Sequence, residues 1–229
     1  MVARRVRDAE VVGSNPASPT NKYMAIYYTI ITVFIILLFN ELWWRFKKPN
    51  DEISRKAVHI IVGCFVAFWP FYLSWLDIQL LGIAFFITVY ISKHLNIFKA
   101  IHSVQRPTWG ELFFAISVTS VAFITHDKLV YMTAILSMGL ADGLAAIFGS
   151  YFGSGTNYRI FGSTKSVVGS LTFLVVIIGL LDNYRLHVIH PAPAVIYLLL
   201  AVIAMILENV SVLGLDNLAV PLLIAIWLR

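Results

Sequence analysis

The sequence predicts an all-α polytopic membrane bundle of about eight transmembrane segments, with seven as the fallback count. Three observations carry this. Hydrophobic residues make up 59% of the 229-residue chain, and mean hydropathy is +0.83, far more apolar than a domain with an aqueous surface. The apolar residues fall into runs separated by short polar connections. The basic residues collect in alternate connections, as the positive-inside rule requires of a multi-pass chain. The net charge of +5 therefore bears on orientation and gives no reason to expect nucleic acid. The single cysteine, Cys64, lies in an apolar run and excludes an intrachain disulfide.

The apolar segments span 25–44, 57–75, 76–92, 110–125, 129–149, 166–181, 192–208 and 217–228. A straight span needs roughly 20 residues, so the shorter runs are expected to tilt, bend or re-enter. Pro221 interrupts the last. Arg45, Lys47, Lys48, Arg55 and Lys56 lie between the first two segments, Lys93, Lys99 and Arg106 between the third and fourth, and Arg159 and Lys165 between the fifth and sixth. The opposite-side loops hold only Lys128 and Arg185. The odd-numbered loops are therefore expected to face the cytoplasm, from the plasma (inner) membrane.

Residues 1–23, "MVARRVRDAEVVGSNPASPTNKY", do not fit this pattern. They are polar, and the topology puts their four basic residues outside. They read as a disordered arm ahead of an integral membrane catalytic domain over 24–229. "VVGSNPASPT" resembles the translated end of a transfer-RNA gene, so Met24 is the expected native start. A short targeting segment is the other reading, but a signal peptide's apolar core and cleavage site are missing.

Four polar stretches are expected to meet on one face: "DEISRKAVH" from Asp51, "RPTWGE" from Arg106, "GSYFGSGTNYRIFGSTKS" from Gly149, and "ENVSVLGLDN" from Glu208. Asp142 lies inside the fifth segment, and an ionisable group there is costly enough to be functional by default. Asp142, Ala145, Ala146, Gly149 and Gly153 share a helical face at spacings of 3, 4, 7 and 11. The small side chains leave room for a ligand beside the carboxylate, and the glycine-rich loop offers backbone N–H groups to phosphate oxygens. Gly162, Ser163, Lys165 and Ser166 follow at the next helix start, where anions are favoured. Asp142, Glu208 and Asp216 are the candidate Mg²⁺ ligands. Arg55, Lys56 and His59 form one helix-start cluster; Arg106 and Glu111 form another.

Each element has a plainer reading. Gly149-x-x-x-Gly153 is also a helix-packing pattern, and Arg55 and Lys56 also suit snorkelling to headgroups. His59 also suits an interfacial histidine, and Glu208 and Asp216 also suit loop caps. Asp142 also suits a structural pair with a buried cation. "GSTKS" lacks the GK pair and spacing of a P-loop. Convergence of all these groups on one face favours function.

"SRKAVHIIVG", "RPTWGELFF", "LADGLAAIFGSYFG", "GSTKSVVGSL" and "ENVSVLGLDNLAVPL" together resemble the diacylglycerol/polyprenol kinase family, which includes dolichol kinase, phytol kinase and a CTP-dependent diacylglycerol kinase. That family lies in a superfamily with phosphatidate cytidylyltransferase. The resemblance implies CTP or a similar nucleotide as phosphoryl donor, Mg²⁺, and a membrane lipid alcohol as acceptor. It also carries nucleotide contact onto Asp142, Gly143, Lys165 and Ser166. The expectation is a lipid kinase transferring a γ-phosphoryl group to diacylglycerol or a polyprenol-like alcohol. Asp142 with Asp216 or Glu208 would hold Mg²⁺; Lys165 and loop amides would hold phosphates. Arg55 and Arg106 would steady the transferring group, and His59 or Glu111 would be the base. A cytidylyltransferase making CDP-diacylglycerol is the alternative; "GLDNLAVP" lacks the histidine, double glycine and arginine of the longer signature in those enzymes. A transporter is the second alternative, opposed by the one-sided clustering of polar groups and by the lack of an inverted repeat.

The start assignment is checked by mass spectrometry of the native N-terminus. A mature chain beginning at Met24 is expected, and a peptide from residues before it would contradict the reading.

Overall fold

The computed structural model describes residues 19–47, 51–95 and 109–229. Helix α1 runs Pro19–Lys47, within which Tyr23–Phe46 is apolar enough to cross a membrane. Helix α2 (Asp51–Ala67) leads through a short 3-10 turn, Trp69–Phe71, into α3 (Trp75–Leu95) and then α4 (Gly110–Ile124). Helix α5 (Lys128–Leu136) passes through a π-helical segment, Ser137–Asp142, into α6 (Gly143–Phe152). A two-stranded antiparallel hairpin follows, β1 (Asn157–Ile160) and β2 (Ser163–Ser166). Helices α7 (Val167–His187), α8 (Ala194–Val210) and α9 (Asp216–Leu228) complete the bundle.

All eight apolar segments are helical, but among the described residues five helices are long and apolar enough to cross a membrane. The chain is a multi-pass membrane protein. Helices α4, α8 and α9 have 15, 17 and 13 residues. At 1.5 Å per residue they reach about 20–26 Å, short of a hydrocarbon core of about 30 Å. The boundary expected at 75/76 falls earlier, because α2 ends at Ala67 and Pro70 sits in the following turn. The loop expected over 149–166 contains the hairpin.

The span Lys128–Phe152 is the axis of the bundle. Of its apolar window 67% is buried, against 17% for the first span and 22% for the third. It packs on α2, α7 and α9, while α1 and α3 face outward. Lipid tails are as apolar as leucine, so helices associate here by close packing and by hydrogen bonds. Gly63 of α2 and Gly139 of the π segment lie back to back: a Cβ on Gly63 would sit 2.7 Å from the Gly139 Cα, and one on Gly139 would sit 2.8 Å from the Gly63 Cα. One α2 turn away, a Cβ on Gly143 would collide with Ile60. Gly82 similarly brings α3 onto Thr119 of α4.

Pro221 stands inside α9 without breaking it. Proline has no N–H to give the carbonyl four residues back, which is that of Asn217. The hydroxyl of Ser117 on α4 donates to that carbonyl instead, at 2.6 Å. Asn217 Nδ2 in turn donates to the carbonyl of Gly110, 3.1 Å away. The proline that interrupts the sequence pattern is thus tied down by a neighbouring helix. Ser117→Ala should lower stability by about 1–3 kcal/mol, because it strands a buried carbonyl. Unfolding in mixed micelles by SDS titration checks this, and an unchanged midpoint would refute it.

Candidate functional site

The beginnings of α2, α7 and α9 and the ends of α6 and α8 converge at one end of the bundle, together with the hairpin. Between them lies a polar cavity of about 810 Å³, lined by Arg55, Lys56, Asp142, Lys165, Glu208 and Asp216 among others.

Asp142 is the last residue of the π segment and is buried. A π turn re-phases the helix that follows and leaves its carbonyls poorly matched to N–H groups. Here the Met138 carbonyl faces His59 Nε2 at 3.2 Å. The downstream helix places Ala145, Ala146 and Gly149 on the cavity wall below Asp142. The Asp142 carboxylate accepts a short hydrogen bond from the ammonium of buried Lys56, and His59 Nε2 lies 3.6 Å from the same oxygen.

The second charged group forms where the hairpin meets α8 and α9. Strand register pairs Tyr158 with Lys165 and Ile160 with Ser163. Phe161 and Gly162 make the turn, both at positive φ (45° and 82°), as a two-residue hairpin loop demands. Lys165 points inward, donating to the Glu208 carboxylate and, at 3.2 Å, to its backbone carbonyl. Asp216 lies 3.9 Å from the same ammonium. Burial alone disfavours the charged form of Lys165, but Glu208, Asp216 and Asp142 outweigh it and raise its pKa. The ammonium therefore stays charged at neutral pH.

The hairpin is anchored by hydrogen bonds to α7 and α8. Tyr158 and Ser170 hydroxyls both donate to Asn209 Oδ1, at 2.5 and 2.9 Å, and Asn209 Nδ2 donates to Met205. Ser166 caps α7, its hydroxyl accepting from Gly169 N–H at 3.1 Å.

Asp142, Glu208 and Asp216 each present a carboxylate oxygen within 4.8 Å of the other two. Three carboxylates so close repel one another. Lys56 and Lys165 offset part of that repulsion, and a divalent cation would offset more. The three come from different segments and meet on one wall of the cavity.

Gly149, Gly162, Ser163, Lys165 and Ser166 all line the cavity. Gly153 packs on Ser166 and Gly143 on Ile60; neither lines it. Arg55 lines the cavity, and its Nη1 lies 3.6 Å from Glu111 Oε1 on α4. Glu111 and His59 line a second, smaller groove, which Arg55 also borders. Arg106 lies outside the described residues. Sequence reasoning did not assign Lys56 to Asp142, nor Tyr158, Ser170 and Asn209 to one network. Alternating Asn157–Ile160 and Ser163–Ser166 around Phe-Gly was the available hairpin signal.

No family model matches the chain, and no solved structure matches it. Among curated proteins, a phytol kinase from Synechocystis sp. is 32% identical over 197 residues, covering 82% of each chain. With that identity along most of both sequences, and with a charged cavity built at one end of a membrane bundle, the protein belongs to the family of membrane lipid-alcohol kinases and is a phosphotransferase.

Proposed function

We propose that the enzyme transfers the γ-phosphoryl group of CTP to the hydroxyl of a long-chain membrane alcohol, diacylglycerol or a polyprenol-like alcohol of phytol's type. The observation that carries the donor half of this reading is the meeting of Asp142, Glu208 and Asp216 beside Lys165 on the wall of one large polar cavity. Phosphoryl transfer asks little covalent help of a protein; it asks for positioning and for neutralised charge.

Asp142, Glu208 and Asp216 would hold Mg²⁺, which draws charge from the donor's phosphate oxygens. Lys165, freed in part from Glu208, would bind a phosphate as a point charge. The hydroxyls of Ser163 and Ser166 and the backbone at Gly162 line the same cavity and offer further donors, whereas the Gly149 N–H, expected as a loop donor, is engaged inside α6. Arg55, at the border between cavity and groove, is placed to hold the group in transit. Lys56 holds the Asp142 carboxylate in place. The excess of basic residues in the connections at this end favours the cytoplasmic side of the membrane, where a water-soluble nucleotide and a lipid can meet.

The purified enzyme in mixed-lipid vesicles with Mg²⁺ tests the reading. CTP is supplied labelled at either the γ- or the α-phosphate. Label from the γ position is expected in lipid; label from the α position would mean nucleotidyl transfer and overturn the proposal. With the alcohol that accepts label, Lys165→Ala should raise the nucleotide KM about tenfold or more and leave the lipid KM alone. A selective rise in the lipid KM would contradict the phosphate role of Lys165.

A further inference from the structure

The smaller groove is built differently from the cavity. Leu37 of α1, Val58 and Val62 of α2, Phe85 and Val89 of α3 and Phe114 of α4 make its walls. Its polar lining is Arg55, His59 and Glu111, with Thr88 and Ser92 of α3. Helix α2 is the partition between the two spaces. Arg55 lines both, and His59, on the groove side, lies 3.6 Å from the Asp142 carboxylate on the cavity side.

Glu111 is the unusual member. Its Oε1 is buried and accepts no hydrogen bond; Arg55 Nη1, at 3.6 Å, is too far to donate one. A buried acceptor without a donor is costly, and such an atom calls for an explanation. His59 is placed otherwise. Its Nε2 faces only oxygens, the Met138 carbonyl and the Asp142 carboxylate, so that nitrogen carries the proton as a donor and the lone pair of the neutral ring lies on Nδ1.

We propose that this groove receives the head end of the acceptor's hydrocarbon chain, and that Glu111, whose buried Oε1 lacks a donor, takes the proton of the acceptor's hydroxyl. This rests on the lipid-alcohol kinase reading. The occupant it fits is a neutral long-chain alcohol. Its hydroxyl supplies the donor that Glu111 Oε1 lacks, whereas an ionised phosphate monoester presents the carboxylate with like charge. The enclosed volume is about 60 Å³, room for only the first part of a chain. The rest would lie along α1 and α3, whose exposed faces carry Phe34, Leu38, Ile83 and Ile87. In the reaction, the hydroxyl oxygen bonds to the γ-phosphorus of the nucleoside triphosphate. The bond from that phosphorus to the β–γ bridging oxygen breaks, and nucleoside diphosphate leaves. The hydroxyl proton passes to Glu111 and from there to water.

The test uses full-length enzyme in lipid nanodiscs and a long-chain primary alcohol carrying a diazirine near its hydroxyl. Photolabelling mapped by mass spectrometry should fall on the groove segments of α2, α3 and α4 and be displaced by unlabelled alcohol. Val89→Trp should cut that labelling, and raise the alcohol KM, by about tenfold or more, while leaving binding of a fluorescent CTP analogue unchanged. Glu111→Gln should keep the labelling and lower kcat about 100-fold or more, in the range expected for loss of a general base. Labelling elsewhere, wild-type labelling and turnover in Val89→Trp, or near-normal kcat in Glu111→Gln would overturn the proposal. Groove labelling in an enzyme that phosphorylates no alcohol with any nucleotide would support the groove and count against the kinase reading alone.

Discussion

The bond between Lys56 and Asp142 is the contact on which the rest of the site depends. Both groups are buried in a membrane bundle, where either charge alone would be expensive. They meet because two helices cross at glycine. With Gly63 on Gly139 and Gly143 under Ile60, α2 and the central span run closely enough that Lys56 is opposite Asp142. A side chain on either glycine of that first pair would push the helices apart and separate the charges. The pair fixes a carboxylate in place inside the bundle. Replacing both partners with apolar residues of similar size would remove both buried charges together, without leaving either one unpaired.

Around that fixed point, charge is assembled from parts distant in sequence. Glu208 and Asp216 sit on either side of the turn between α8 and α9, where Leu213 and Gly214 both adopt positive φ. Trp109, ahead of α4, donates its N–H to the Leu213 carbonyl at 3.0 Å and so holds that turn against the start of α4. Lys165 arrives on the hairpin, whose position is set by the Tyr158–Asn209–Ser170 hydrogen bonds. Three carboxylates and two lysines thus occupy one wall, with Arg55 at the border to an apolar groove. This arrangement suits a reaction whose donor is in water and whose acceptor is in lipid.

Much of this was legible in the sequence, for physical reasons. Apolar runs in a chain this hydrophobic have few other uses than membrane helices, and all eight expected segments are helical. Asp142 stood out because its burial is costly, and Glu208 and Asp216 because they end and begin apolar runs. The π segment was not legible, since insertion of a wide turn depends on what packs against it. Nor was the choice of Lys56 over Arg55 as the partner of Asp142: the two are adjacent in sequence, and only the α2 crossing decides which faces inward. Apolar composition does not report length: of the eight expected spans, five are helices long and apolar enough to cross a membrane among the described residues. Pro221 misled for the opposite reason, since the compensating hydroxyl of Ser117 lies 104 residues upstream in the chain. The hairpin hid in a stretch whose glycine and serine content reads as loop.

The central claim is that Asp142, Glu208 and Asp216 form one cation site that serves a nucleotide. Electron paramagnetic resonance of Mn²⁺, titrated into the purified enzyme with and without a non-hydrolysable CTP analogue, addresses it most directly. The account predicts saturable Mn²⁺ binding that tightens with nucleotide and is lost in Asp142→Asn, while that variant keeps its helical content even though the unpaired Lys56 lowers its thermal midpoint. Equal Mn²⁺ affinity in the wild-type and variant proteins would contradict it, and would leave Asp142 only the role of a buried partner for Lys56.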